Sequence, residues 1–338
     1  SGSFGGAFSG GDFGSEIEHP FNFYDTINAS NSQGVDMSES AAAVGASSVG
    51  GGYATAINLL KNKDEFDINL LFLPGVIDQL DDHSTIIGNA IQMCEDRGDV
   101  FLVLDNTSKT STVATVKSNA EARNSSYAAA YYPWVQIVDN SARARLWVPP
   151  STIALGVMAA SAARSELWFA PAGFNRGGLG NGSAGLSVVN VIEKLTATQR
   201  DNLYETNINP IASFPAEGLV VFGQKTLQAT PSALDRINVR RLMIFLKKQI
   251  RLIANNILFD PNEQVTWNRF LNQVNPFLAS IKNRFGLSDY RVVLDSSTTT
   301  PDLVDRNIMY AKILLKPTRA IEFIALDFVI TRSGVEFE

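Results

Sequence analysis

The sequence is poor in the residues that carry most enzyme chemistry. Among its 338 residues there is one cysteine, Cys94, and there are two histidines, His19 and His83. A single cysteine excludes an internal disulfide framework and suits a chain folded in a reducing cytosol. A Ser/His/Asp or Cys/His constellation would have to use one of two histidines that are far apart and carry no motif around them. Metal-ligand spacing is lacking too; Asp81 and Asp82 stand alone and do not supply the oxygen set that calcium wants. Charge is also scarce. Charged residues make up 18% of the chain and hydrophobic ones 45%, which fits a packed globular protein and excludes a disordered one. The net charge of −6 argues against nucleic acid as a direct partner, because phosphate contacts need a basic surface. Long apolar runs are missing: the longest candidate, Ile153–Ala163, falls well short of the ~18 residues that span a bilayer, so no membrane partner is expected. No secretory signal is seen. The chain starts at Ser1 without a methionine, which reads as a processed product or a trimmed fragment.

What is present is an alternation of apolar strands and helical patterns. Residues 1–66 read as a Gly-rich, flexible N-terminal segment and the start of an incomplete N-terminal region. Phe4, Phe8 and Phe13 are interleaved in Ser1–Gly14, and a second glycine-rich stretch follows at Gly45–Gly52. Residues 67–230 read as an α/β domain. Strands are expected at Ile68–Leu73, Asp99–Leu104, Tyr127–Val138 and Leu167–Ala170, and helices at Ser84–Asp96 and Val113–Arg123. The Arg143–Val148 strand pairs back through a turn at Asp139–Asn140, and Ser151 is read as the cap of a helix running to Ala163. Further strands are expected at Val188–Ile192, Ile211–Phe214 and Leu219–Phe222, with a helix at Ala197–Thr206. Strand, helix, strand at this spacing implies βαβ crossovers in a mixed sheet flanked by helices. Residues 231–338 read as a C-terminal domain with two long helices, Arg236–Leu258 and Glu263–Phe285. Their apolar stripes recur at 3.6-residue spacing and are expected to seal one face of the sheet. The chain closes in a β-hairpin or strand arm: Ile308–Leu315 and Ile321–Ile330 are expected to meet across Lys316–Arg319.

Few constellations invite chemistry. His83, beside a helix start, reads as part of a polar cap region. The glycine run Gly177–Gly182 looks superficially like a phosphate loop but lacks the Gly-Lys-Ser/Thr ending and leads into a strand, so it reads as a loop or interface segment. Asp105 ends a strand where a ribose-binding acid could stand, yet no glycine fingerprint precedes it. A Rossmann-like nucleotide-binding enzyme is the rival these features leave open; no cofactor is expected. More distinctive is a basic arc on the first long helix. Arg236, Arg240, Arg241, Lys247, Lys248 and Arg251 fall opposite its apolar stripe, giving either a solvated face or an attachment surface for an acidic partner. The Lys282 and Arg284 end of the second helix competes for that role. Ile321–Ile330 is apolar on both faces and wants cover on both sides, from its own domain or from a neighbouring subunit.

One stretch ties these observations together. Ala130-Tyr131-Tyr132-Pro133-Trp134-Val135, then Val148-Pro149-Pro150-Ser151 opening a helix, then Ala170-Pro171-Ala172-Gly173-Phe174-Asn175-Arg176-Gly177 follow one another in order. Arg240-Arg241-Leu242, Phe259-Asp260-Pro261-Asn262 and Trp267 come after them. Together these marks resemble the tail sheath proteins of contractile bacteriophage tails, over roughly Ile68–Glu338. The resemblance implies a structural, non-enzymatic subunit without a cofactor. Such subunits polymerise as stacked helical, hexameric rings around an inner tube and contract to drive the tube through the host cell envelope. It implies other sheath subunits, the tail tube protein, and baseplate and tail terminator proteins as partners. It places the chain in the virion, assembled in the host cytoplasm; the sheath of a type VI secretion or bacteriocin machine is the variant reading. It also makes the basic helix a candidate tube-facing surface, and Thr331–Glu338, with Thr331, Arg332, Val335 and Phe337, a candidate inter-subunit arm.

Overall fold

A computed structural model describes residues 24, 27–32, 35–37, 51–139, 144–180, 185 and 187–322. The elements, in chain order, begin with β1 (Asn31–Ser32), β2 (Val35–Asp36), α1 (Gly51–Leu60), β3 (Leu70–Ile77), α2 (Asp81–Arg97), β4 (Phe101–Asp105), α3 (Val113–Glu121) and β5 (Ala128–Tyr132). Next come β6 (Val135–Asp139), β7 (Ala144–Val148), α4 (Pro150–Arg164), α5 (Gly173–Arg176), β8 (Val188–Val191), α6 (Ala197–Glu205), β9 (Ile208–Phe214) and β10 (Gly218–Val221). The last are α7 (Ile237–Asn255), α8 (Gln264–Asn283), β11 (Leu287–Val293), α9 (Pro301–Asp305) and β12 (Lys312–Pro317).

The centre is a five-stranded mixed sheet of order β10-β9-β5-β4-β3. Its first four strands in chain order, β3, β4, β5 and β9, run parallel, and β10 turns back antiparallel on β9. All five residues of β4 are buried, as its unbroken apolar run requires of a strand covered on both faces. The period of two then divides its side chains between two cores. Leu102 and Leu104 join Ile86, Ile87, Ala90 and Cys94 of α2, Val116 of α3 and Leu203 of α6. Phe101 and Val103 join Ile153, Val157 and Met158 of α4 on the opposite face. That second core is closed by the three-stranded sheet β7-β6-β8 and by Ile237 and Ile244 of α7. A third core lies elsewhere: Leu242 and Leu246 of α7 meet Phe270, Val274 and Leu278 of α8, Leu287 of β11 and Trp168.

Several expectations need correcting. The stretch Tyr127–Val138 is two strands in two sheets, β5 and β6. Pro133, after a cis Tyr132–Pro133 bond, has no N–H to give a ladder, so the chain leaves one sheet there and enters the other. Leu167–Ala170 is not a strand: the Phe169 N–H closes a turn onto the Glu166 carbonyl, and Trp168 plugs the third core with its indole N–H on the Arg284 carbonyl at 3.0 Å. The apolar stripes of α7 and α8 do not seal the sheet; they face each other and β11, and only the Ile237 and Ile244 side of α7 reaches the second core. β12 pairs antiparallel with β11, while residues 323–330, its expected partner, lie outside the described residues, as do Thr331, Arg332, Val335 and Phe337 of the candidate arm. Ser151 does not cap α4. Pro149 holds the cap position without a side-chain bond, and Ser151 sits inside the first turn, bonded to Asp105.

Candidate functional site

In a parallel sheet the carboxyl ends of the strands are where a ligand would be received. Here the polar groups at the ends of β3 and β4 bond to the protein itself, while Tyr132 at the end of β5 borders an open cleft with Ser111 and Glu193. Asp105, the last residue of β4, accepts from the Ser151 N–H at 3.0 Å and from the Ser151 hydroxyl at 2.8 Å, so its carboxylate completes the open first turn of α4. Burial pushes its pKa up to about 7, against the lowering effect of the two Ser151 bonds. Asp78, just past β3, is buried and takes a two-pronged ion pair from Arg123, with contacts of 2.6 and 3.1 Å. Asn106 donates to the Val116 carbonyl at 2.8 Å and accepts from Asn119 at 2.7 Å, which fastens α3 to the strand end. Trp134 donates to the Thr107 carbonyl at 2.9 Å.

The residues singled out for reactivity, His83 and Cys94, are buried in the core. His83 is buried inside α2, its Nδ1 accepting the Ile77 N–H at 3.1 Å. Desolvation lowers its pKa, against opposing effects of the Asn28 backbone and Asp82. The Cys94 thiol is buried and pushed up to about 12 by desolvation, the reverse of an activated nucleophile. Among the described residues no group of three or more His, Cys, Asp or Glu side chains is placed to hold a metal ion, and no helix is long and apolar enough to cross a membrane. The described part of the glycine run lies on β10: Val221 donates to the Gly177 carbonyl at 2.8 Å and Leu179 to the Leu219 carbonyl at 2.9 Å. A Cβ at Gly177 would stand 2.6 Å from the Val221 carbonyl oxygen, so glycine is needed there for close backbone approach.

The basic arc of α7 does not form one free surface. Arg236 pairs with Asp235 at 3.0 Å and with Glu322 at 2.6 Å. Arg240 is buried, 4.0 Å above the Tyr127 ring, and donates to the Ser126 carbonyl and hydroxyl. Arg241 lies against Tyr131, desolvation lowers its pKa to about 10, and its Nη1 is buried without a hydrogen-bond partner among the described residues. Lys248 docks on Asp67 and on the Ile68 carbonyl. Lys247 and Arg251 are exposed, with contacts of 3.4 Å to the Tyr127 hydroxyl and 3.3 Å to Asp64. The arc therefore works largely as a clasp that holds α7 to the start of β3 and β5, and the charge it offers outward is centred on Lys247 and Arg251. The competing pair is also partnered, Lys282 with Asp289 at 2.9 Å and Arg284 with Glu166 at 2.8 Å.

A concave site that no sequence motif announces lies where α5, β10, α7 and Thr318–Glu322 converge. It is a cleft of about 630 Å³ walled by Phe174, Phe222 and Tyr204 and floored by Gln224 and Asn238. Phe174 and Phe222 are 51% and 40% exposed, far more than packing alone would leave them. Its signal in the sequence is faint: Asn238 is a polar residue in the first, buried turn of α7, and the aromatics are scattered over remote segments.

Comparison with known proteins places this architecture. Residues 50–227 match the phage tail sheath protein central domain, and residues 229–331 match the phage tail sheath C-terminal domain. The tail sheath protein of Enterobacteria phage T4 is 36% identical over 192 residues, covering 57% of this chain and 28% of that protein. The tail sheath protein of Vibrio phage KVP40 is 39% identical over 191 residues, covering 56% of this chain and 28% of that protein. The chain thus spans little more than a quarter of the length of these curated relatives. Among solved structures, the contracted sheath complex of the extracellular contractile injection system PVC is similar with a TM-score of 0.67 and 26% identity, over 81% of this chain and 74% of that one. A chain of the anti-feeding prophage baseplate is similar with a TM-score of 0.65 and 25% identity, over 82% and 72%. With sheath domains matched over residues 50–227 and 229–331, this chain belongs to the phage tail sheath protein family.

Proposed function

We propose that this chain is a structural subunit of a contractile tail sheath, polymerising as stacked helical rings of six around an inner tube and contracting to drive that tube through the host cell envelope. The observation that carries this reading is the match to both sheath domains in order, over one continuous stretch. Contacts between unlike patches that do not close on themselves generate helical arrays of this kind. Contraction is a passage from a metastable extended arrangement to a shorter one, with the free energy stored during assembly, so the subunit needs neither catalysis nor a cofactor. Its partners are further sheath subunits, the tube protein, and baseplate and terminator proteins; it is assembled in the host cytoplasm and resides in the virion.

Within this reading, residues 67–230 form one sheath domain and residues 231–338 a second. Thr331, Arg332, Val335 and Phe337 belong to an arm that reaches a neighbouring subunit. The tube-facing surface is the helix bearing Arg236, Arg240, Arg241, Lys247, Lys248 and Arg251, with contact made through Lys247 and Arg251. Sedimentation and thermal unfolding test the reading together. The expected result is concentration-dependent growth into large particles and no saturable shift in unfolding temperature with NAD(P) or ATP. A chain that stays monomeric at every concentration while one of these nucleotides stabilises it would overturn the proposal in favour of a Rossmann-like enzyme.

A further inference from the structure

The α7–α8 pair is a hairpin with a different apolar feature at each end. At the closed end, the loop between the helices carries Phe259, which is fully exposed and holds a left-handed φ of 69°. Left-handed backbone is unfavourable for a residue with a Cβ, and an exposed ring gains nothing from burial, so the surroundings must impose the conformation. They do so from both sides. Ile257 and Trp267 are buried in the third core, and the Trp267 indole donates to Asn262 at 2.8 Å. Asn262 in turn donates to the Ile308 carbonyl at 3.2 Å, and Arg269 donates to Asp260 at 2.6 Å. Leu258 and Val265, also exposed, flank the ring. The product is a rigid apolar knob, ordered before any partner arrives. Leu258–Val265 contains two acids, Asp260 and Glu263, and no base. The open end of the hairpin is the cleft described above, lined by Asn238 in the first turn of α7 and by Phe285 just past the end of α8. The exposed rings of Phe174 and Phe222 stand 5.7 Å apart between centroids, each 5.1 Å from Phe214. The charged lining is Arg176, Arg200 and Arg319 against Asp201 and Glu322, and Glu322 is already paired with Arg236. An aromatic cleft with an excess of arginine is complementary to an aromatic knob flanked by acids.

We infer that the Phe259 loop of one copy of this chain seats in the Phe174–Phe222 cleft of a second copy. Distance excludes the same contact within one chain: the 19 residues of α7 hold knob and cleft at opposite ends of a helix roughly 28 Å long. A knob at one end and its socket at the other make a contact between unlike patches. Such a contact joins copies head to tail and does not close on a pair. Phe259, Leu258 and Val265 supply its apolar centre, and Glu263 with the cleft arginines its polar rim. The inference deepens the sheath reading and rests on it for the presence of a second copy.

Disulfide trapping between two variants of the full chain tests the contact. Phe259→Cys mixed with Phe222→Cys should give a mixed disulfide under mild oxidation, and neither variant alone should cross-link beyond the parent. The native Cys94 adds little background, being buried with its thiol pushed up to about 12. Phe259→Gly, which suits the left-handed backbone, should raise the concentration for half-maximal assembly in sedimentation by about tenfold or more. Its unfolding midpoint should be no lower than the parent's. A mixture that cross-links no more than the single variants, or Phe259→Gly assembling at the parent's concentration, overturns the proposal. A disulfide in Phe259→Cys alone overturns it too, in favour of knobs that pair with each other. Sedimentation of the parent keeps the two levels apart. Growth into large particles without the mixed disulfide removes this contact and leaves the sheath reading, whereas a parent that never grows removes both.

Discussion

Replacing Asp105 by asparagine should remove a pH dependence of stability that the fold builds into the end of β4. The carboxyl is 1% exposed, faces the first turn of α4 and has its pKa raised from 3.8 to about 7 by desolvation. The sign follows from proton counting. Below about pH 4 both folded and unfolded chains hold the proton, and the group contributes no slope. Between about pH 4 and pH 7 the unfolded chain releases it while the folded chain keeps it, so stability falls as pH rises. At about 1.4 kcal/mol per pH unit, a shift of about 3 units makes the parent lose roughly 4 kcal/mol relative to Asp105→Asn across that window. Above pH 7 the difference should be flat again. Urea unfolding of both proteins at half-unit steps from pH 4 to pH 8 measures it, with other titrating groups cancelling in the difference. Ser151→Ala, which removes the 2.8 Å hydroxyl bond that favours the charged form, should move the upper end of the window higher. A parent-minus-variant curve that stays level from pH 4 to pH 7 would refute the argument.

Further substitutions follow from the contacts at the strand ends, on β10 and along α7. Arg123→Met leaves the buried Asp78 carboxylate unpaired and should cost about 3–5 kcal/mol in urea unfolding. Most of that should return in the double variant with Asp78→Asn, and an additive double variant would reject the pairing argument. Gly177→Ala drives a Cβ to 2.6 Å from the Val221 carbonyl oxygen and 2.9 Å from the Gly173 backbone, so it should lose about 1–3 kcal/mol and lower the unfolding temperature. An unchanged midpoint would mean the β10 contact is not fixed. Arg240→Ala should cost about 2–4 kcal/mol through the lost Tyr127 stack and Ser126 bonds, whereas Lys247→Glu with Arg251→Glu should leave the unfolding midpoint nearly unchanged and weaken co-sedimentation with tube protein. Full co-sedimentation of that double variant would remove α7 as the tube-facing helix.

Most of the central sheet was legible because its strands are short apolar runs bounded by turn residues, with β4 the clearest case. What misled was context. Tyr127–Val138 has strand composition throughout, and only the ladder's need for an N–H at residue 133 shows that it must split. The stripe on α7 gave the helix, but a stripe does not name its partner, and α8 with β11 took the place expected for the sheet. The partners of the basic arc, Ser126, Tyr127, Asp67 and Glu322, come from distant segments that no helical wheel includes. The cleft was invisible for the same reason. Its walls are drawn from residues between 168 and 322, and each is unremarkable in its own neighbourhood. Asp105 reads in the sequence as a strand-end acid, but the Ser151 that bonds to it stands 46 residues away, outside any local motif.

The most direct test of the central claim is electron microscopy of particles formed when this chain is produced together with the matching tube protein. The account predicts tubes with regular helical striations, whose reconstructed subunit contains the β10-β9-β5-β4-β3 sheet and the α7–α8 pair as found here. Monodisperse particles without helical order, from protein that is folded by the urea criterion above, would contradict it.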